Sequence, residues 1–221
     1  DIHETNPELG KNFFLWSMDE EGYKEIENRG FGYFRTFNKL LLEKFNTGLS
    51  SANSINWGRL MPQIVYYFTG YLNLVKTGEI KLGDKINIAV PTGNFGNVMA
   101  AYLAKKMGLP VDYLICASND NNSVTGLLKS GVFNTSGKKI VPTSSPAMDI
   151  LVASNIERLL SLSSNPKSTV KWMGLLKNKG CFRIDGKTLK TLKRDFFAGS
   201  VSDGQVLNQI KRTYSEDHYL T

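Results

Sequence analysis

The chain has 221 residues, 41% of them hydrophobic and 21% charged, and 27 Lys plus Arg against 20 Asp plus Glu leave a net charge of +7. This composition is that of an ordinary globular protein and excludes an intrinsically disordered chain, and the length accommodates one or two domains with a sizeable core. Apolar stretches such as 64–68 and 147–153 fall far short of the roughly 20 residues a membrane span needs, and the acidic start Asp1-Ile2-His3-Glu4-Thr5 is unlike an export signal. A cytoplasmic location without a membrane partner is expected. Cys116 and Cys181 are well separated, and His3 and His218 lie near opposite ends, so neither a disulfide framework nor a local metal motif is encoded. The basic runs at 171–179 and 187–194 have helical spacing with Leu between the charges, which reads as solvated helix faces rather than a nucleic-acid surface. A small phosphorylated substrate suits the positive balance better.

In chain order, Phe34, Phe37, Leu41 and Phe45 recur three or four positions apart after Gly30 and Gly32, predicting an amphipathic helix that ends near Gly48. A long buried helix is expected over 56–75, with Leu60, Ile64, Phe68, Tyr71, Leu72 and Val75 on its core stripe and Pro62 in its first turn. After a turn at Leu82-Gly83-Asp84, the alternation of Ile86, Ile88 and Val90 predicts a strand. The stretch Pro91-Thr92-Gly93-Asn94-Phe95-Gly96-Asn97 follows, then a helix over 98–107 and a second apolar run over 113–117. Strand, glycine turn, helix and strand within about 30 residues form a βαβ unit and imply an α/β fold with a parallel sheet. Further on, helices are expected at 124–129, 149–162, 169–177, 188–197 and 203–214, with strands at 139–141 and 181–184. The Ser-rich stretch 162–166 reads as a lobe boundary. The division is then a connecting segment over 1–50, an α/β core over 51–162 and a mainly helical part over 163–221.

The glycine turn carries the chemistry. A helix that starts at the carboxyl end of a parallel strand offers N–H groups with no partner inside the helix, and these accept an anion. Gly93 and Gly96 are expected to leave the approach to a phosphate bare, Asn94 to add an amide donor, and Phe95 to wedge against the sheet or a flat ring. The Gly-x-x-Gly spacing matches neither the P-loop nor GxGxxG, which turns the reading from nucleotides to a cofactor with one small phosphate. A tight turn that carries no ligand is the plain alternative. Upstream, Ser51-Ala52-Asn53-Ser54-Ile55-Asn56 places small polar groups before the long helix: Ser54 or Asn56 would cap it, and the remainder, with Arg59 one turn in, suit a carboxylate or phosphate. Ser144-Ser145 before Pro146 read as a helix cap, and the aromatic band Tyr66, Tyr67, Phe68 and Tyr71 as core.

Together these stretches resemble the threonine synthase family, including threonine synthase-like proteins, of the tryptophan-synthase-like, pyridoxal-phosphate-dependent fold. Four blocks carry the resemblance: Ser51 to Leu60 running into Gln63-Ile64-Val65-Tyr66-Tyr67-Phe68; Pro91-Thr92-Gly93-Asn94-Phe95-Gly96-Asn97; Ala104-Lys105-Lys106-Met107-Gly108-Leu109-Pro110; and Ser145-Pro146-Ala147-Met148-Asp149-Ile150-Leu151 with Ser154-Asn155-Ile156-Glu157-Arg158. The resemblance implies a three-layer, mostly parallel sheet flanked by helices. It implies pyridoxal 5'-phosphate as cofactor, with its phosphate on Thr92, Gly93, Asn94, Phe95, Gly96 and Asn97, and Asn53, Ser54, Asn56 and Arg59 on the substrate side. The implied reaction converts O-phospho-L-homoserine and water to L-threonine and phosphate. It further implies that the family's Schiff-base lysine precedes residue 1 and that later cofactor contacts follow Thr221. The sequence is therefore expected to be a segment without turnover of its own, from a parent that is an active enzyme or a non-catalytic binder of the cofactor or another phosphorylated ligand.

Overall fold

A computed structural model describes residues 43–46 and 54–219. The chain divides into two compact units, Asp1–Asn53 and Ser54–Thr221. In the first, residues 43–45 are helical and Asn46 has a φ of 49°; the rest of the helix expected over 34–48 lies outside the described residues.

The second unit opens with α1 (Trp57–Lys76), capped by Asn56, whose side-chain oxygen accepts from the Gly58 N–H at 2.9 Å. Asn56, not Ser54, is the cap. Pro62 sits in the second turn, one turn later than expected, and the Gln63 side-chain amide donates to the Arg59 carbonyl beside it. Leu60 and Tyr71 are buried and Ile64, Phe68 and Val75 pack against the core, whereas Leu72 is 53% exposed, as are Trp57, Met61, Val65 and Tyr66 to similar extents. Among the described residues, helix α1 is therefore apolar on two faces and covered on one. At its far end Tyr71 clamps the turn at Gly83: its hydroxyl accepts from the Gly83 N–H and donates to the Asp84 carbonyl.

The βαβ unit forms as expected from β1 (Ile86–Pro91), α2 (Gly96–Lys106) and β2 (Val111–Ser118), with β1 and β2 parallel. Next come α3 (Ser123–Ser130), β3 (Val132–Asn134), a single 3-10 turn Pro146–Met148, α4 (Ile156–Ser163), α5 (Pro166–Lys179), β4 (Cys181–Arg183), α6 (Gly186–Asp195), β5 (Phe196–Ser200) and α7 (Asp203–Asp217). The order in the parallel sheet is β1-β2-β5, and β3 and β4 form an antiparallel pair. The fold is α/β, a parallel sheet flanked by helices. Side chains alternate along each strand: Val90, Leu114, Cys116, Phe196 and Ala198 are buried, while Ala89, Tyr113, Ala117 and Phe197 on the other face are exposed. Tyr102 of α2 stacks obliquely on Phe196 at 5.0 Å, and the Thr125 hydroxyl of α3 donates to Ser118, so these helices cover the buried face. No helix among the described residues is long and apolar enough to cross a membrane.

Three elements differ from expectation. The segment 188–197 does not stay helical, because α6 passes straight into β5 at Phe196, whose backbone is extended and whose ring the sheet core takes up. No strand forms at 139–141; instead the Asn121 side-chain amide accepts from the Val141 N–H and donates to its carbonyl, as a neighbouring strand would. The helix expected from 149 begins at Ile156, and Ser144 binds Asp203 through its N–H and hydroxyl rather than capping its own segment.

The sheet and α2 are fastened by a largely buried ion pair, Lys105 Nζ to Asp195 Oδ1 at 2.8 Å, with Lys105 also donating to the Asp112 carbonyl. Removing one partner of such a pair strands the other charge away from water. Asp195→Ala is expected to cost about 3 kcal/mol in urea-induced unfolding, against under about 1 kcal/mol for Lys85→Ala in the exposed pair with Asp112.

Candidate functional site

The turn between β1 and α2 lies at the carboxyl end of the parallel strands, where open α/β sheets bind their ligands. Thr92 is buried, its N–H pairs with the Ala117 carbonyl, and its hydroxyl donates to the Val90 carbonyl at 2.8 Å, so β1 is held in register up to the bend. Phe95 makes the bend. Its backbone is left-handed (φ 63°, ψ 8°), a conformation that strains any residue with a Cβ. Its ring is buried beside Phe196, 6.0 Å between centroids, which settles its role as a wedge on the sheet. As N-cap of α2, Phe95 makes no side-chain capping bond. The first N–H groups of α2 thus have no acceptor from their own cap, and the left-handed residue before a helix curls successive amides toward one point.

The two glycines work differently from expectation. A Cβ built on Gly96 would lie 2.2 Å from Ser54 Oγ and 2.4 Å from Ser54 Cβ, and one on Gly93 would lie 3.3 Å from Met148 Cα and 3.4 Å from Ile150 Cδ1. The space they leave is filled by other parts of the chain rather than kept bare for a ligand. Gly96 admits Ser54, and Gly93 admits the segment around Met148.

Asn94 is likewise turned inward: its side-chain oxygen accepts from the N–H and hydroxyl of Ser154, at 2.7 and 2.6 Å. Asn155, fully buried, donates through Nδ2 to the Asn94 carbonyl at 2.9 Å and to Ser54 Oγ at 3.1 Å. Arg158 donates to Asn155 Oδ1, to the Ser54 carbonyl at 3.0 Å and to the Ile55 carbonyl, and lies over the Trp57 ring. On the other side Asn97 donates to Gln63 at 3.1 Å and accepts from Tyr67. The structure therefore gathers Thr92, Gly93, Asn94, Phe95, Gly96, Asn97 and Ser54. Asn56 is engaged as a cap, Arg59 is exposed in the first turn of α1, and Asn53 lies outside the described residues. Ser154, Asn155 and Arg158 complete the frame. They belong to a quoted motif, but their value lies in long-range bonds that local spacing does not show.

Burial pushes the Tyr67 hydroxyl up to about 12, with the Cys116 thiol adding to it, and pushes Cys116 itself up to about 12 against a hydrogen bond from Thr92. Both stay protonated at neutral pH, so neither serves there as a general base. No cluster that could hold a metal ion exists among the described residues.

An α/β chain whose βα turn places a helix N-terminus at the head of a parallel sheet has relatives among known proteins. No family model matches. Threonine synthase-like 1 from Homo sapiens is 41% identical over 186 residues, 83% of this chain and 25% of that protein. Threonine synthase from Schizosaccharomyces pombe is 36% identical over 193 residues, 78% of this chain and 37% of that protein. The solved structure of pyridoxal-phosphate-bound threonine synthase from Brucella melitensis superposes with a TM-score of 0.73 at 37% identity, over 84% of this chain and 40% of that one. The chain is a homologue of the threonine synthase family and spans between a quarter and two fifths of the length of these relatives.

Two outcomes follow from the geometry. Gly96→Ala is expected to destabilise by about 1–3 kcal/mol and by more than Gly93→Ala, and the double variant with Ser54→Gly to recover most of the loss in a double-mutant cycle of urea unfolding. The usual pKa of Cys116 is 9.0 and that of Tyr67 10.0, and both are raised on folding. The unfolded chain therefore releases these protons first, so their contribution is intact below pH 9 and lost as pH rises toward 12. Melting temperatures across that interval should fall, and fall less in Cys116→Ala.

Proposed function

We propose that this chain is the phosphate-holding part of a threonine synthase, in which the N-terminus of α2 receives the phosphate of pyridoxal 5'-phosphate. The observation that carries the reading is the bend at Phe95: a helix N-terminus whose cap residue supplies no side-chain acceptor, framed by Ser54 and Asn155. These residues fit a phosphate monoester, because backbone N–H groups at the positive end of a helix bind a dianion without a cation in the site. Thr92 and Gly93 to Asn97 would hold the phosphate. Ser54 would stand beside it, with Asn53, Asn56 and Arg59 toward a phosphorylated amino-acid substrate. When bound, pyridoxal phosphate supplies the electron sink; the chain's part is to bind, orient and exclude water. The parent's reaction would be conversion of O-phospho-L-homoserine and water to L-threonine and phosphate in the cytoplasm. Within this frame 51–162 is the cofactor-holding core, 1–50 a connecting segment and 163–221 the mainly helical remainder.

A second reading, a threonine synthase-like protein that binds the cofactor without turnover, is favoured by the higher identity to threonine synthase-like 1. Borohydride treatment of the cofactor-loaded full-length parent, followed by mass spectrometry, tests for a lysine able to fix the cofactor covalently, and a phosphate-release assay then separates the readings. For the chain itself, titration with pyridoxal phosphate should show binding at least about tenfold tighter than with pyridoxal, a difference of about 1.4 kcal/mol, and inorganic phosphate should compete. Equal affinity for the two would overturn the assignment.

A further inference from the structure

We propose that Arg158 is a positioning residue of the anion turn: it fixes the orientation of the Asn155 amide and, through it, the placement of Ser54 and Asn94. The inference rests on the phosphate reading for its ligand, but its geometry stands alone. Arg158 is the third residue of α4, and its guanidinium reaches a segment a hundred residues earlier in sequence. Nη1 donates to the Ser54 carbonyl at 3.0 Å and to Asn155 Oδ1, Nη2 donates to the Ile55 carbonyl, and the Trp57 ring lies 5.1 Å from the guanidinium carbon. A planar fork of donors backed by an aromatic face suits this arrangement, and an ammonium does not.

A side-chain amide has two orientations of nearly equal shape, and its partners decide between them. With Arg158 donating, the atom of Asn155 that faces it must be the oxygen. The NH2 group then faces the Asn94 carbonyl at 2.9 Å and Ser54 Oγ at 3.1 Å. The flipped amide would set its NH2 against the guanidinium and its oxygen against the Asn94 carbonyl, two repulsions in a fully buried place. Arg158 thus removes the alternative. Ser54, held at its carbonyl by Arg158 and at its hydroxyl by Asn155, fills the space beside Gly96, the first residue of α2. The acceptors of Arg158 are neutral oxygens, so its charge also adds to the positive end of α2. Arg158→Lys keeps the charge and loses the fork, which separates the two contributions.

The test is amide hydrogen exchange of the full chain, read by mass spectrometry without ligand, in wild type, Arg158→Lys and Arg158→Gln, alongside pyridoxal phosphate titration. Both variants should exchange about tenfold or more faster at Ser154, Asn155 and Met99, whose N–H groups bond Asn94 and Phe95, with 111–118 in β2 unchanged, and should bind pyridoxal phosphate more weakly without changing affinity for pyridoxal. Wild-type exchange at these three amides in Arg158→Lys would overturn the proposal and leave only a role for charge. Should Arg158→Gln exchange rapidly everywhere, the lysine variant carries the comparison. If wild type binds no pyridoxal phosphate while exchange at these amides still responds, the phosphate reading falls and the positioning role stands.

Discussion

One buried amide ties together three parts of the chain that are far apart in sequence. Asn155 touches Asn94, 61 residues before it, and Ser54, 101 residues before it, and accepts from Arg158 one helical turn later. A buried amide left unpartnered is costly, so once these segments fold they have a single low-energy way to meet. The turn at Phe95 inherits its shape from that meeting. A left-handed phenylalanine is strained by itself; the sheet core that takes its ring and the amide that fastens its neighbour keep it there.

This arrangement divides the labour within the turn. The side chains of Asn94, Asn97 and Ser54 bond to protein and the glycines make room for protein, so on the phosphate reading a ligand would meet the backbone of α2. Recognition by main-chain groups is insensitive to side-chain identity at the contact and sensitive to everything that sets the backbone. The surrounding polar side chains therefore matter for placement rather than for contact, and a glycine that admits a serine is as much part of the machinery as one that admits a phosphate.

Much of the framework was legible in the chain itself. The alternation at Ile86, Ile88 and Val90, the glycine turn and the helix formers after it define the βαβ unit locally, and the structure reproduces it. The bend over 91–97 is legible for the same reason, since a helix start after a parallel strand is a local event. What escaped was non-local or lacked punctuation. The strand β5 follows α6 with no glycine or proline between Asp195 and Phe196, so the helical pattern simply ran on. At 139–141 the apolar pattern resembled a strand, but its hydrogen bonds were taken by a side chain, Asn121, from 20 residues upstream. Local rules favour Pro62 in the first turn, but the Asn56 cap starts α1 at Trp57 and leaves Pro62 as its sixth residue. The glycines were read for what they lack; what fills the gap came from elsewhere in the fold.

Among the described residues, the parallel sheet has one face packed under helices and one that stays exposed. On that side Phe197 is 62% exposed and Tyr113 40%; Met61 and Val65 of α1 are exposed as well. Parallel sheets are ordinarily sheathed on both sides, and apolar surface of this kind is drawn to its like. The net charge of +7 opposes such an encounter, and its reach shrinks to about 8 Å in saline of physiological strength, so any self-association of this chain is expected to strengthen as salt is added.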